Sequence, residues 1–331
     1  MKVSKKQLGL LLITGAILII AGGELFARYY LGLGTPPLSI ADPQIEYLFK
    51  PDQDVYRFRN HFFTNHYGMR SNAFPEKREG HELRVMIFGD SVLNGGNLTD
   101  QTDLATNILQ KNLTELTANN IVVGNISAGS WGPGNWLAYV KKYGFFDADI
   151  VILVISSHDY ADNPTFEPLN QNTHPTERPF SALTEGITRY LPRYLPYFAS
   201  SESAKETDHF VEPTTEQVTK GLEDLKSFLD LAKNSAKSVL VFQHWERDEI
   251  KKGKAKPGNE RIRDLCESMG ISPIELEPYF KKSIGSGKNP YRDNIHPNQA
   301  GQQLIAKAIL ENLPDNAMHT DGNSAALHPC R

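Results

Sequence analysis

The strongest constraint on this chain is a rhythm. Short apolar runs at residues 84–88, 121–125, 150–155, 238–242 and, more weakly, 271–276 alternate with longer amphipathic stretches. The runs have strand length and no long polar alternation, so they read as strands covered on both faces. Helical spacing fits 101–116, 135–143, 215–232, 259–269 and 298–313, and Thr214 or Thr215 followed by Gln217 and Val218 supplies a capped start to the third. Strand and helix in strict alternation predict an α/β fold with a five-stranded parallel sheet between helical layers. With 40% hydrophobic and 10% aromatic residues in 331, there is enough apolar material for a full core. There is no internal repeat.

One connection breaks the rhythm. Residues 160–213, rich in Pro, aromatic and polar side chains, separate the third strand from its helix and read as an insertion over the site, a lid or a binding surface. At the other end of the chain, Lys2, Lys5 and Lys6 precede sixteen uncharged residues, 8–23, before Glu24 and Arg28 appear. A spanning helix needs roughly 20 apolar residues, so the run serves as an anchor if the lysines snorkel and residues 25–27 contribute. Residues 1–30 therefore read as a signal anchor touching the membrane through residues 8–27. The remainder then lies outside the cytoplasm, held at the inner (cytoplasmic) membrane; cleavage near Ala21-Gly22-Gly23 and secretion is the alternative. Residues 31–83 form a linker and N-terminal extension, with 32–43 as the linker proper and 47–70 placed against the main domain. The catalytic domain is expected at 84–313 and a loose polar tail at 314–331.

Charge and cysteines exclude several classes. Thirty-five basic against 39 acidic residues leave a net charge of -4, which gives no basic field for nucleic acid. Cys266 and Cys330 have neither zinc-ligand spacing nor the numbers for a disulfide framework; Cys266 reads as a small buried residue.

In an open parallel sheet, functional groups gather beyond the carboxyl ends of the strands. Here those ends read Phe88-Gly89-Asp90-Ser91, Gly124-Asn125-Ile126-Ser127-Ala128-Gly129, Ser156-Ser157-His158-Asp159 and Gln243-His244-Trp245, and Asp293-Asn294-Ile295-His296-Pro297 leads into the last helix. This set, in this order, resembles the SGNH or GDSL-type hydrolase superfamily over residues 84–313. The resemblance implies a flavodoxin-like three-layer sandwich, Ser91 as nucleophile, His296 as general base and Asp293 as its orienting carboxylate. It also implies an oxyanion hole built from Ser91 and Gly129. The chemistry agrees, because a serine hydroxyl needs a base that titrates near neutrality, and a carboxylate three residues before a histidine can fix its tautomer from one loop. The α/β-hydrolase elbow is excluded, since Leu93 stands where G-x-S-x-G requires glycine.

One position departs from the family pattern: His158 occupies the place of the usual asparagine. It is the expected third oxyanion donor, with Asp159 holding it. Asn94, Trp131 and Asp159 are further candidates for substrate contact.

Each signal has a plainer reading. Ser91 alone is a common helix cap, Asp293 and His296 alone are a turn and a cap, and His244 is a wall residue to which no role is assigned. Trp131 and Trp136 either stack on a sugar or pack. Tyr190, Tyr194 and Tyr197 either line a cleft or hold the lid, and residues 285–288 are an exposed turn, not a phosphate loop. The segment Thr64-Asn65-His66-Tyr67-Gly68-Met69-Arg70 also resembles a stretch ahead of the GDS block in bacterial membrane-anchored members, which implies a short acyl ester on a carbohydrate as substrate. The expectation is thus an extracytoplasmic serine esterase or O-acyltransferase that needs neither metal nor organic cofactor. The alternatives are a silent carbohydrate-binding or assembly protein on the same fold and a lipid esterase.

Overall fold

In the computed structural model, residues 4–78, 80, 82–117, 120–191 and 212–314 are described. The expectations for Tyr194, Tyr197, Cys330 and residues 315–331 fall outside them.

In chain order the elements are helix α1 (Lys5–Leu25), strands β1 (Ser39–Asp42), β2 (Glu46–Phe49), β3 (Asp54–Arg57), β4 (Asn60–Phe63) and β5 (Glu82–Gly89), helices α2 (Ser91–Asn94) and α3 (Ala105–Leu116), β6 (Asn120–Ser127), α4 (Pro133–Tyr143), β7 (Ile150–Ser156) and α5 (Ala182–Glu185). They continue with α6 (Thr215–Ser235), β8 (Ser238–His244), α7 (Arg247–Lys252), α8 (Pro257–Ser268), β9 (Ile274–Glu275), α9 (Glu277–Gly285) and α10 (Gln299–Asn312). Five strands form one parallel sheet in the order β6-β5-β7-β8-β9. All five expected strands are in it; the weakest is reduced to the two residues of β9.

Alternate side chains of the central strands feed two cores. Met86, Phe88, Val151, Leu153 and Ile155 pack under α4, α6 and α8 on one face. Val85, Ile87, Ile150, Ile152 and Val154 pack under α3, α9 and α10 on the other. Because the chain leaves β5 for β6 on one side and reaches β7 on the other, a crevice opens at the carboxyl ends of β5 and β7, the usual ligand position in this topology. Ser91 and His158 both stand there.

The N-terminal extension is more ordered than a linker. Leu33 and Leu38, in the stretch expected as linker, are buried, and β1–β2 and β3–β4 form two antiparallel hairpins. Ile45, Tyr47, Leu48 and Met69 enter the sheet's own core. Short hairpins carry few apolar residues in sequence, so their burial depends on a surface that the rest of the fold provides.

Helix α1 begins at a capping box between Ser4 and Gln7. A widened turn, Phe26–Tyr30, continues it, giving a 26-residue, largely apolar helix whose side chains are mostly exposed. At 1.5 Å per residue it is about 39 Å long, enough to cross a bilayer core. Its last turn is fastened to the insertion, where Glu24 accepts hydrogen bonds from the backbone N–H groups of Ala182 and Leu183 at 3.1 and 2.8 Å.

Candidate active site

The site is assembled from strand ends. At the end of β5, Asp90 caps α2 by accepting from the Val92 N–H at 2.8 Å, which places Ser91 at the first position of that short helix. From the loop before α10, His296 brings Nε2 to 3.0 Å from Ser91 Oγ, and its Nδ1 lies 2.8 Å from Asp293 Oδ2. Asp293 Oδ1 accepts from the backbone N–H groups of Ile295 and His296 at 2.9 and 2.7 Å, closing the loop on itself. Burial raises the Asp293 carboxyl, but those backbone donors and the imidazole outweigh it and hold the pKa below the usual carboxylate range. An ionised acceptor fixes the proton of neutral His296 on Nδ1 and leaves Nε2 free to accept from Ser91.

Two further histidines behave differently from His296. His244, at the end of β8, is fully buried, and burial pushes its pKa down to about 4. The imidazole is therefore neutral, and its Nε2–H donates to the Ile295 carbonyl at 2.9 Å. That bond holds the middle of the loop carrying Asp293 and His296. Neighbouring contacts help, since Arg247 N–H donates to the Asn294 carbonyl at 2.7 Å and Asn294 Nδ2 donates to Glu246 at 2.9 Å. The sequence offers His244 only as a strand-end histidine, and its role as a strut depends on a loop 50 residues away.

His158 is the other case. Its Nε2 lies 3.2 Å from Asp90 Oδ2 and 3.4 Å from Asp159 Oδ1, and its Nδ1 is 3.5 Å from Glu246 Oε1. Burial opposes a charge on the ring, but Asp159, Asp90 and Glu246 overcome it and raise the pKa well above the ordinary histidine value. The imidazolium is a counter-ion. The loop beneath it is tightly held: a Cβ at Gly258 would lie 1.7 Å from the Ser157 carbonyl oxygen. Asp90, His158 and Asp159 also place their ligand atoms within 4.8 Å of one another, as a bound cation would require, but the protonated ring already supplies positive charge between the two carboxylates. His158, expected as the third oxyanion donor, thus directs its nitrogens at carboxylates. It does not line the cavity at Ser91, which also excludes Asp159 and Trp131.

That cavity, about 160 Å³, is bounded by Ser91, Asn94, Gly129 and His296 together with Tyr47, Phe49, Phe62, His174, Arg189 and Arg292. Of the three side chains considered for substrate contact, only Asn94 reaches it. The Asn94 amide donates to the Ser127 carbonyl at 2.9 Å and so ties α2 to the end of β6. Asp159 instead accepts from the Ser156 N–H at 2.7 Å, and Trp131, 2% exposed, packs edge-on against Tyr47. The Tyr47 hydroxyl donates to the Gly129 carbonyl, so the first hairpin supports the turn that sequence reasoning marked for the oxyanion. A larger cavity of about 930 Å³ lies beyond His158, between α6 and α8.

The segment 64–70 has a structural task as well. Arg70, fully buried, donates to the carbonyls of Asn94, Gly96 and Thr99 at 2.6 to 2.7 Å, more distantly to that of His61, and to the Gln101 side chain at 3.1 Å. It thereby closes the loop that follows the Ser91 helix. Burial lowers its pKa to about 9, leaving it cationic at neutral pH.

Residues 87–304 match the family described as GDSL-like Lipase/Acylhydrolase, so the chain belongs to that family. It is by class an ester hydrolase of the serine type. Among solved structures, it is similar to a member of the lipolytic G-D-S-L family from Veillonella parvula, with 13% identity, 70% of this chain and 97% of that one covered, and a TM-score of 0.44. It is also similar to an acetyl xylan esterase from Geobacillus stearothermophilus, with 14% identity, coverage of 72% and 96%, and a TM-score of 0.43. A lipase/acylhydrolase from Enterococcus faecalis has 11% identity, coverage of 69% and 94%, and a TM-score of 0.44. The comparison with curated proteins gives no match.

Proposed function

We propose that Ser91, His296 and Asp293 act as a catalytic triad that removes a short acyl group, such as acetyl, from a carbohydrate. The observation that carries this is the unbroken series from Ser91 Oγ through His296 to Asp293, at 3.0 and 2.8 Å. Ser91 Oγ bonds to the ester carbonyl carbon while its proton passes to His296 Nε2. The tetrahedral oxyanion is met by the backbone N–H groups of Ser91 and Gly129. Collapse breaks the bond to the sugar oxygen, which takes the proton from His296, and leaves an acyl-enzyme. Water, activated by the same histidine, releases the acid; a sugar hydroxyl in its place makes the reaction a transfer. The cavity of about 160 Å³ suits a short acyl chain and argues against a long one.

His158 takes part indirectly in this reading. The Asp90 carboxylate sits one residue before the nucleophile, where negative charge opposes an oxyanion, and the imidazolium offsets it. Lys5–Tyr30 serves as the membrane anchor, with residues 84–313 as the catalytic domain outside the cytoplasm and the hairpins of 31–83 as part of its wall.

The test is labelling of the full chain in detergent with a serine-reactive phosphonate, followed by peptide mass mapping. The adduct is expected on Ser91 and lost in His296→Ala. A well-folded protein without adduct at Ser91 rules the triad out.

A further inference from the structure

We propose that the cavity at Ser91 contains an oxyanion subsite, formed by Arg292 and Arg189, so that the preferred ester is one borne by an acidic molecule. Its carboxylate or phosphate lies close to the acyl group. This deepens the reading above and rests on Ser91 as nucleophile.

The argument begins with charge. Arg189, just beyond α5 in the insertion, and Arg292, in the loop before His296, reach the same small cavity from different parts of the chain. Among the described residues lining it there is no aspartate, glutamate or lysine. Among the described residues, neither guanidinium has a carboxylate to itself. The carboxylate beside Arg189 is Glu185, 3.2 Å away. Glu185 is shared with the fully buried Arg57 and also accepts the Gly34 N–H at 2.6 Å. One carboxylate between two guanidiniums leaves a positive charge over. Arg189 is only 10% exposed, and its buried Nε has no hydrogen-bond partner.

Arg292 is in a similar position. Its nearest carboxylate, Asp293, lies 3.9 Å from Nε and is already occupied by His296 and two backbone donors. Among the described residues, its side chain makes one hydrogen bond, to the Gly95 carbonyl at 3.4 Å. Burial pulls both guanidinium pKa values down, as expected for charges whose hydration has not been fully replaced. A carboxylate or phosphate supplies the missing acceptor oxygens, two of which a guanidinium can engage side by side. His174 lines the cavity as well, but burial lowers its pKa, so it adds no charge near neutrality. The cavity is small enough that the anion and the ester must belong to one molecule.

The experiment measures acetate release by the full-length protein in detergent from three substrates: a mono-O-acetylated methyl glucuronoside, a mono-O-acetylated glucose 6-phosphate and a mono-O-acetylated methyl glucoside. The wild type is expected to favour at least one acidic substrate over the neutral one by about tenfold or more in kcat/KM, the size of one or two charge-assisted hydrogen bonds. Which acid wins separates carboxylate from phosphate. The preference ratio should fall with added salt and collapse in Arg292→Gln mainly through KM, with partial recovery in Arg292→Lys; Arg189→Gln should lower it less. Equal turnover of acidic and neutral esters overturns the subsite, as does a preference that survives both glutamine variants. Phosphonate labelling of Ser91 in the same preparations separates this from failure of the triad. If Ser91 takes no label and nothing is cleaved, calorimetry with methyl glucuronoside and glucose 6-phosphate decides, and absence of binding of both overturns the proposal.

Discussion

His296 reaches Ser91 and His158 reaches the preceding residue, Asp90, yet their surroundings assign them opposite tasks. His296 has one carboxylate on Nδ1 and a hydroxyl on Nε2. His158 has three carboxylates around its ring and, among the described residues, no hydrogen bond to a hydroxyl. A single carboxylate orients an imidazole and leaves it able to take and return a proton. Three of them hold the proton in place and turn the ring into a fixed charge. Residue type is thus a weak guide at this site, and the number of acids within about 4 Å is a stronger one.

The sharpest way to break this contrast is to remove the one acid that serves His296. Asp293→Asn should reduce kcat by about 10³–10⁴, since the amide favours the wrong tautomer while the fold persists. Steady-state rates with unchanged circular dichroism test it, and a loss below tenfold would detach Asp293 from the mechanism.

On the other side, His158→Asn leaves Asp90 and Asp159 without their counter-ion. It should destabilise the protein by about 3 kcal/mol, the low end for breaking a buried pair because the imidazole is partly exposed. The native pKa of His158 is raised, so its stabilisation is complete below the ordinary histidine value and is lost as pH climbs through the native one. Urea unfolding of both proteins should therefore show the largest gap at mildly acid pH and a narrowing gap towards alkaline pH. A constant gap would mean that His158 is not charged in the native state.

A smaller effect is expected from His244→Gln, which shortens the strut to Ile295. Activity should fall about tenfold, the value of one net hydrogen bond felt at the catalytic loop, with kcat affected more than KM. The smallest belongs to Trp131→Phe, where a change of under about threefold in kcat/KM is expected because the ring packs beneath the cavity instead of lining it. A large rise in KM would return Trp131 to the binding surface.

The same contrast explains what the sequence could disclose. The parallel sheet was legible because its strands are continuous apolar runs, and Ser91, Asp293 and His296 drew attention because each follows or precedes a regular element at a telling spacing. His158 was legible as a position and not as a function: its charge depends on Asp90 and Glu246, 68 and 88 residues away. The hairpins of residues 39–63 escaped notice because four-residue strands carry too little pattern to stand out from a Gly- and Pro-rich stretch. Arg70 was legible only as the end of the resembling segment 64–70, and only the three carbonyls gathered around it reveal a loop fastener.

The hydrogen bonds from Ala182 and Leu183 to Glu24 have a consequence for the scale of the enzyme's reach. They join the end of the apolar helix to the segment that carries Arg189 into the cavity, with no free length of chain between. With Lys5–Tyr30 in a bilayer, the mouth of the cavity stays at one height above the lipid and cannot sweep the surrounding volume as a head on a long stalk would. Under the proposed anchoring, encounter would become a search in two dimensions, favouring esters whose carriers themselves lie at the membrane surface.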